Sequence, residues 1–304
     1  MKTEIERVWH WRSTALVTVL LIIVGLLAVS FGPVNLGFVK IVKTLLGMDG
    51  GLSSLDRTLL LDIRLPRVVL AALVGAALAT SGAVYQTVFR NPLADPYLLG
   101  AAAGAGLGAT IAILGGQNGF HAALPLFAFL GGVLAVVATF FVSGSFYADP
   151  RSLLLSGIAV GSFATAIQTY LHQRHSAVLR TVYSWILGEL TVADWDTVKW
   201  ASIYIFISLA ILILIAKQLD GLMLSDEEAY SLGIHPNRIR IIAVAAATLA
   251  TATAVSASGL IGFVGIVVPH LVRGLLHRAT NRALLTVSLA GAVFLVLEIG
   301  RAHV

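Results

Sequence analysis

The side chains that could do chemistry are few, and most of them sit in short polar islands. Ser225-Asp226-Glu227-Glu228 is a capping-box signature, with Ser225 at the N-cap and Glu228 at N3. Gly233 can close that short helix in the left-handed conformation, with Pro236 just beyond. The segment, which also holds Ala229, Ser231 and Leu232, is either a well-capped surface helix or a rigid knob that transmits force from a soluble partner. Arg64 and Arg67 offer two guanidinium groups three residues apart. They either anchor a helix end at a headgroup layer or receive carboxylates from a docking protein. Gln86 is polar inside an apolar run, where an interhelical hydrogen bond is the plainer reading and a ligand contact the sharper one.

Reaction chemistry has no visible seat. The chain lacks a GxxxxGK[ST] phosphate loop, an HExxH pair and a GxSxG elbow. Its eight histidines are scattered, and no two of them stand at i, i+4. The absence of cysteine excludes disulfides and thiol catalysis. These observations point away from an enzyme, and no cofactor or metal is expected. No basic run with interleaved aromatics suggests nucleic acid. Ion-coupled carriers often place carboxylates inside the membrane as relays. Their absence from the long uncharged runs argues for an external energy source.

The elements that must position these groups follow from composition. Hydrophobic residues make up 58% of the 304 residues and charged residues 12%, with a mean hydropathy of +0.92. Soluble domains carry about 25% charged residues. From Val68 to Phe89, Tyr97 to Leu114 and Ile241 to Val272 there is no Asp, Glu, Lys or Arg. A helix needs about 20 apolar residues to cross the hydrocarbon core. The chain is therefore read as an all-α, polytopic helical membrane protein in the bilayer, with about nine transmembrane helices.

Taken in order, the spans are expected near residues 13–31, 65–89, 96–115, 122–143, 152–172, 198–216, 241–255 and 260–276, with the ninth from about 283 onward. Residues 32–63 read as a loop with a short surface helix, and residues 173–197 as a second substantial loop. Asp95-Pro96 and Asp149-Pro150 are expected helix starts, an N-cap followed by proline at N1. Small residues at 100, 104, 108, 112 and 116 allow the third span to approach a neighbour closely. Trp9 and Trp11 among basic residues suggest an interfacial anchor before the first span. A basic start with Ala28-x-Ser30 also suits a signal peptide, although the apolar run is long for an h-region of about 7–15 residues. With the N-terminus inside, eleven Lys and Arg fall on the inner side and nine on the outer, a balance too even to orient the chain.

Five motifs then fall together in one order: RLPRVVLAALVGAALATSGAVYQ, RNPLADPYLLG, SWILGEL, LSDEEAYSLGI and GLIGFVGIVVPHLVR. In these the chain resembles the permease subunits of binding-protein-dependent ABC importers for iron chelates, haem and cobalamin, the FecCD family. The resemblance covers about residues 60 to 297. It implies one permease transmembrane domain over residues 1–304, in the cytoplasmic (inner) membrane, with a cytoplasmic N-terminus. It also implies a homodimer or close heterodimer of permeases, two cytoplasmic ATP-binding subunits and an extracytoplasmic substrate-binding protein.

Site roles come with the resemblance. Ser225, Asp226, Glu227, Glu228, Ala229, Ser231, Leu232 and Gly233 would form the coupling helix in a groove of the ATPase. Arg64 and Arg67 would face outward and pair with glutamates of the binding protein. The face of the fifth span bearing Gly157, Gly161 and Thr165 would line the path at the dimer interface, with Gln86 as a further pathway candidate. The expected cargo is an iron-siderophore-type chelate, with cobalamin and haem as alternatives. A secondary carrier and a membrane-embedded enzyme are the rivals from other classes. The family pattern continues past Leu297 with Ala-Asp-x-x-Ala-Arg and a tenth helix, where this chain reads Glu298-Ile299-Gly300-Arg301-Ala302-His303-Val304. A truncation from about residue 298 is the expectation, which would put transport by this polypeptide in question.

Overall fold

A backbone in lipid must satisfy its own hydrogen bonds, so each long uncharged run has to be a helix. The computed structural model describes residues 2–31, 34, 36–118, 123–144, 149–176, 179–188, 190, 193–276 and 283–301. Among these residues there are helices, turns and coil and no strand. In chain order the helices are α1 (Lys2–Ser30), α2 (Phe38–Leu45), α3 (Ser54–Thr58), α4 (Leu65–Val88), α5 (Ala101–Leu114), α6 (Leu124–Val142) and α7 (Pro150–Arg174). They continue as α8 (Leu179–Ile186), α9 (Trp195–Leu214), α10 (Ala216–Gly221), α11 (Asp226–Ser231), α12 (Pro236–Ser258), α13 (Val264–Leu276) and α14 (Leu284–Arg301). A π-helical turn, Leu59–Arg64, leads into α4.

Six helical stretches among the described residues are long and apolar enough to cross a membrane: Arg12–Ser30, Ser54–Val88, Leu124–Val142, Pro150–Arg174, Trp195–Leu214 and Pro236–Ser258. Three shorter apolar helices, Ala101–Leu114, Val264–Leu275 and Leu284–Ile299, lie where the remaining spans were expected.

The bundle is built around α4, which packs against α14, α12, α13 and α9. Its apolar surface runs all the way round, the mark of a helix enclosed by others. Small residues make that enclosure tight. A Cβ added to Gly75 would collide with the main chain of Gly291 in α14, and the reverse substitution would meet the Gly75 carbonyl. The expected stripe on α5 behaves likewise, with Gly104 against Gly131 and Gly108 against the Phe127 carbonyl of α6. Without a hydrophobic force between helices in lipid, such close backbone approach supplies van der Waals contact. Polar cross-links add register. The Ser81 hydroxyl donates to the Ala247 carbonyl at 3.1 Å, and Tyr85 and Thr248 share a buried hydrogen bond of 2.9 Å. By contrast α7 keeps Leu155, Ile158 and Phe163 on its outer face.

Three local expectations change, the first being that residues 54–63, read as loop, are helical and run without a break into α4. Pro150 does open α7, with the Asp149 carboxylate accepting from the N–H groups of Arg151 (2.8 Å) and Ser152 (3.1 Å). Pro96 opens no helix. Residues 96–100 are turns, and α5 starts only after Gly100, at φ 83°. Tertiary bonds hold that run of turns, since the Tyr97 hydroxyl donates to the Ile261 carbonyl at 2.9 Å. Thr139 of α6 donates to the Leu99 carbonyl at 3.0 Å. Within residues 173–197 the chain also forms α8, an amphipathic helix whose Val182 and Trp185 are buried.

Candidate functional site

The capping box of α11 forms as its residue types require. Glu228 N–H donates to the Ser225 hydroxyl (3.2 Å), and Ser225 N–H donates to the Glu228 carboxylate (3.0 Å). These hydrogen bonds, the backbone N–H first and the Ser225 hydroxyl second, hold the Glu228 carboxyl below its ordinary range. At the other end Gly233, at φ 75°, donates to the Tyr230 carbonyl (3.0 Å), and Ile234 N–H donates to the Ala229 carbonyl (3.0 Å). That pair of bonds is a Schellman closure. Ala229 is buried beneath the helix, while Ser225, Asp226, Glu227, Glu228, Ser231, Leu232 and Gly233 are exposed. A six-residue helix closed at both ends is a stiff projection bearing carboxylates and the apolar side chains of Tyr230 and Leu232.

Arg64 has a duty that neither sequence expectation contained. The last carbonyls of a helix have no intrahelical partner. The Arg64 guanidinium, only 7% exposed, donates to the Val29 (3.0 Å) and Ser30 (3.3 Å) carbonyls at the end of α1, and to the Val34 carbonyl (2.6 Å). It thereby ties α1 to the start of α4. Arg67 sits one turn later, partly buried. This end of the bundle lies opposite α11, because Arg90 at the far end of α4 contacts Asp226. The 24 residues of α4 separate the two ends by roughly 36 Å at ~1.5 Å per residue.

Gly157, Gly161 and Thr165 come together along one open groove of about 840 Å³ between α7 and the segment leading into α5. Gly157 packs on the Leu98 main chain and Gly161 near Gly100, leaving Thr165 exposed. Asp95 reaches this groove as its acid, with its carboxyl pushed up by burial and drawn back by the Tyr97 N–H at 2.7 Å. Gln86 does not join this group. It lines a separate cavity of about 270 Å³ at the Arg90 end of α4. There it donates to the Gly265 carbonyl at 3.1 Å and accepts from Arg273. The interhelical reading of Gln86 is the one its bonds describe.

Sequence reasoning missed two constellations. In one, Gln168 of α7 donates to Thr110 of α5 at 3.2 Å, and His172 Nε2 lies 3.2 Å from the same hydroxyl, all buried. Two polar residues four apart in an apolar span were the available signal. In the other, Arg90 reaches across to the segment that carries α11. Nothing in the local sequence marks that contact, because its partners lie 132 to 136 residues away.

Comparison with known proteins places this geometry. Residues 20–299 match the FecCD transport family. The Fe(3+)-citrate import system permease protein YfmE of Bacillus subtilis is 32% identical over 282 residues, covering 93% of this chain and 84% of the relative. The hemin transport system permease protein HmuU of Yersinia pestis is 36% identical, covering 84% and 76%. Among solved structures, an ABC transporter assigned to the metal-chelate type, in an inward-facing conformation, superposes with a TM-score of 0.85 at 26% identity. That match covers 95% of this chain and 89% of the other. The chain therefore belongs to the FecCD transport family, the permease subunits of ABC transporters.

Proposed function

We propose that this chain is the membrane-spanning permease domain of an importer that carries a ferric chelate across the cytoplasmic membrane, driven by separate ATP-binding subunits. The observation that carries the reading is α11: a short helix closed at both ends, exposed, and fixed to the bundle through Ala229. Such a projection suits a groove on a soluble motor. Nucleotide-driven closure of that motor would move α11, and the bundle would alternate the access of its groove. At the opposite end the partly exposed Arg67, beside the buried Arg64 clamp, is the basic group on which a substrate-binding protein would dock. The apolar outer face of α7, beside the groove, suits a second permease subunit. An iron chelate is favoured over other cargo because the relatives include importers named for ferric citrate and for hemin. Against a self-powered carrier, the runs from Val68 to Phe89, Tyr97 to Leu114 and Ile241 to Val272 hold no Asp or Glu.

The test is uptake by vesicles containing the permease, its ATPase and its binding protein. Glu227→Arg with Glu228→Arg should leave the complex assembled and hydrolysing ATP while chelate uptake falls by about tenfold or more, the size of a strong coupling energy. Unchanged uptake would refute the role of α11. Uptake driven by an ion gradient without ATPase would refute the importer reading altogether.

A further inference from the structure

We propose that Arg90 is a positioning residue that fastens α11 to α4, so that a displacement of the knob reaches both α4 and α12. The inference rests on the coupling role proposed for α11. By chain connectivity α11 is joined to α10 through Leu222 to Ser225 and to α12 through Gly233 to Pro236. Arg90 adds an attachment to α4 through its side chain. It is the second residue past the end of α4, and its backbone sits at φ 49°, a conformation rare for a residue with a side chain. Strained residues persist where the surroundings over-determine them. Here the guanidinium is plugged into the stretch entering α11, with Nε donating to the Leu222 carbonyl at 2.8 Å. Its Nη2 donates to the Leu224 carbonyl and, at 2.9 Å, to the Asp226 carboxylate.

Asp226 is the node of this arrangement. The same carboxylate oxygen lies 3.5 Å from Nη2 of Arg240, which is buried in the second turn of α12 and bonded to Asn237. One side chain of α11 is thus held from α4 and α12 together. A lone surface ion pair would hold little. The two main-chain carbonyls on Arg90 and the burial of Arg240 make this a mechanical joint instead. Lysine could not replace it, because a point charge cannot serve three acceptors in a planar fork.

The joint leads on to the groove. Asn91 N–H donates to the Gln86 carbonyl at 3.0 Å, closing the end of α4. The Gln86 side chain donates to Gly265 at 3.1 Å, and its Nε2 is 3.4 Å from the Ala94 carbonyl. The residues that follow, Asp95, Tyr97 and Gly100, form one wall of the groove that also holds Gly157 and Gly161. Displacing Asp226 therefore pulls, through contiguous bonds, on the segment that lines the groove.

The test uses the reconstituted complex with ATPase and binding protein, scoring chelate uptake and ATP hydrolysis in the same vesicles. Arg90→Ala and Arg90→Lys should lower uptake per ATP hydrolysed by about fivefold or more. Asp226→Asn should lower it less, since the carbonyl bonds remain, and the two changes should be less than additive in the double variant. Because the chain has no cysteine, Arg90→Cys with Asp226→Cys can be joined by a short bis-maleimide, which should restore the ratio. An unchanged ratio in Arg90→Ala, additive effects in the double variant, or loss of the remaining uptake on joining would each overturn the proposal. Asp226→Asn changes one exposed group and keeps the measurement available if Arg90→Ala does not assemble. If the wild-type complex imports no chelate with ATP, the function reading itself fails, and this inference with it.

Discussion

Gly75 of α4 and Gly291 of α14 touch backbone to backbone, each occupying the space where the other's Cβ would stand. The two helices meet at this point without intervening side chains, and α4 cannot be enclosed unless they do. Gly75→Val should therefore force α4 and α14 apart, at about 1–3 kcal/mol or more for overpacking. Thermal unfolding of the purified protein in detergent should show a clear drop in midpoint. Gly274→Ala is the control, because a Cβ there meets nothing within 4 Å. Equal midpoints for the two variants would contradict the packing argument.

The Arg64 clamp separates fold from docking. Arg64→Ala leaves the Val29, Ser30 and Val34 carbonyls without this donor, and should cost about 2 kcal/mol, typical of hydrogen bonds to a charged group. Arg64→Lys keeps the charge yet cannot reach three carbonyls, so it should lose much of the same stability. Affinity for the binding protein, measured at low salt where surface charge is least screened, sorts the roles. If Arg64→Lys retains docking while Arg67→Glu loses it, Arg67 is the docking charge and Arg64 is the clamp. Full stability in Arg64→Ala would remove the clamp.

Acid should loosen α11 through Glu228. Its carboxyl titrates below the ordinary value of 4.5 because the Ser225 N–H and hydroxyl stabilise the charged form. A depressed folded value means the stabilisation is present above the unfolded value and is lost as pH falls through the folded one. Amide exchange of α11, corrected for intrinsic rates, should be flat near neutrality and should accelerate only below about pH 4.5. Glu228→Gln should abolish that acid dependence. An exchange profile that does not change between wild type and Glu228→Gln would show that the box does not govern the helix.

The groove makes a separate demand. Thr165 is exposed at its wall while Gly157 is packed beneath Leu98. Thr165→Trp should narrow the groove without touching the core, reducing uptake several-fold with an unaltered unfolding midpoint, since exposed substitutions cost within about ±0.5 kcal/mol. Gly157→Val should instead destabilise the protein. Normal uptake by Thr165→Trp would argue that the groove is not the path.

How much of this was legible beforehand depends on the range of the forces involved. Hydrophobic run length and charge spacing act locally, so the membrane class and most helices could be read directly from residues such as those from Val68 to Phe89. The capping box at Ser225 and Glu228, the Gly233 closure and the Asp149-Pro150 start are likewise contained within a few residues, and the structure reproduces them. The small-residue stripe of α5 announced a close contact, although its partner α6 could not be named from sequence. Asp95-Pro96 misled for a reason that lies elsewhere. The N-cap chemistry is present, but Ile261 and Thr139 claim Tyr97 and Leu99 and keep residues 96–100 out of a helix.

What the sequence by itself determined is most of the long helices, the Asp149-Pro150 start and the stiff knob between α10 and α12, because those rest on bonds closed within a turn. What only the tertiary structure decided is which charges are spent inside. Arg64 reads as a surface cation until α1 brings three carbonyls to it. Arg90 reads as the end of a span until the chain returns more than a hundred residues later with Leu222 and Asp226. Guanidinium groups carry several donors on a long stem, so their partners are set by which backbones the fold brings near, and spacing along the chain does not encode that.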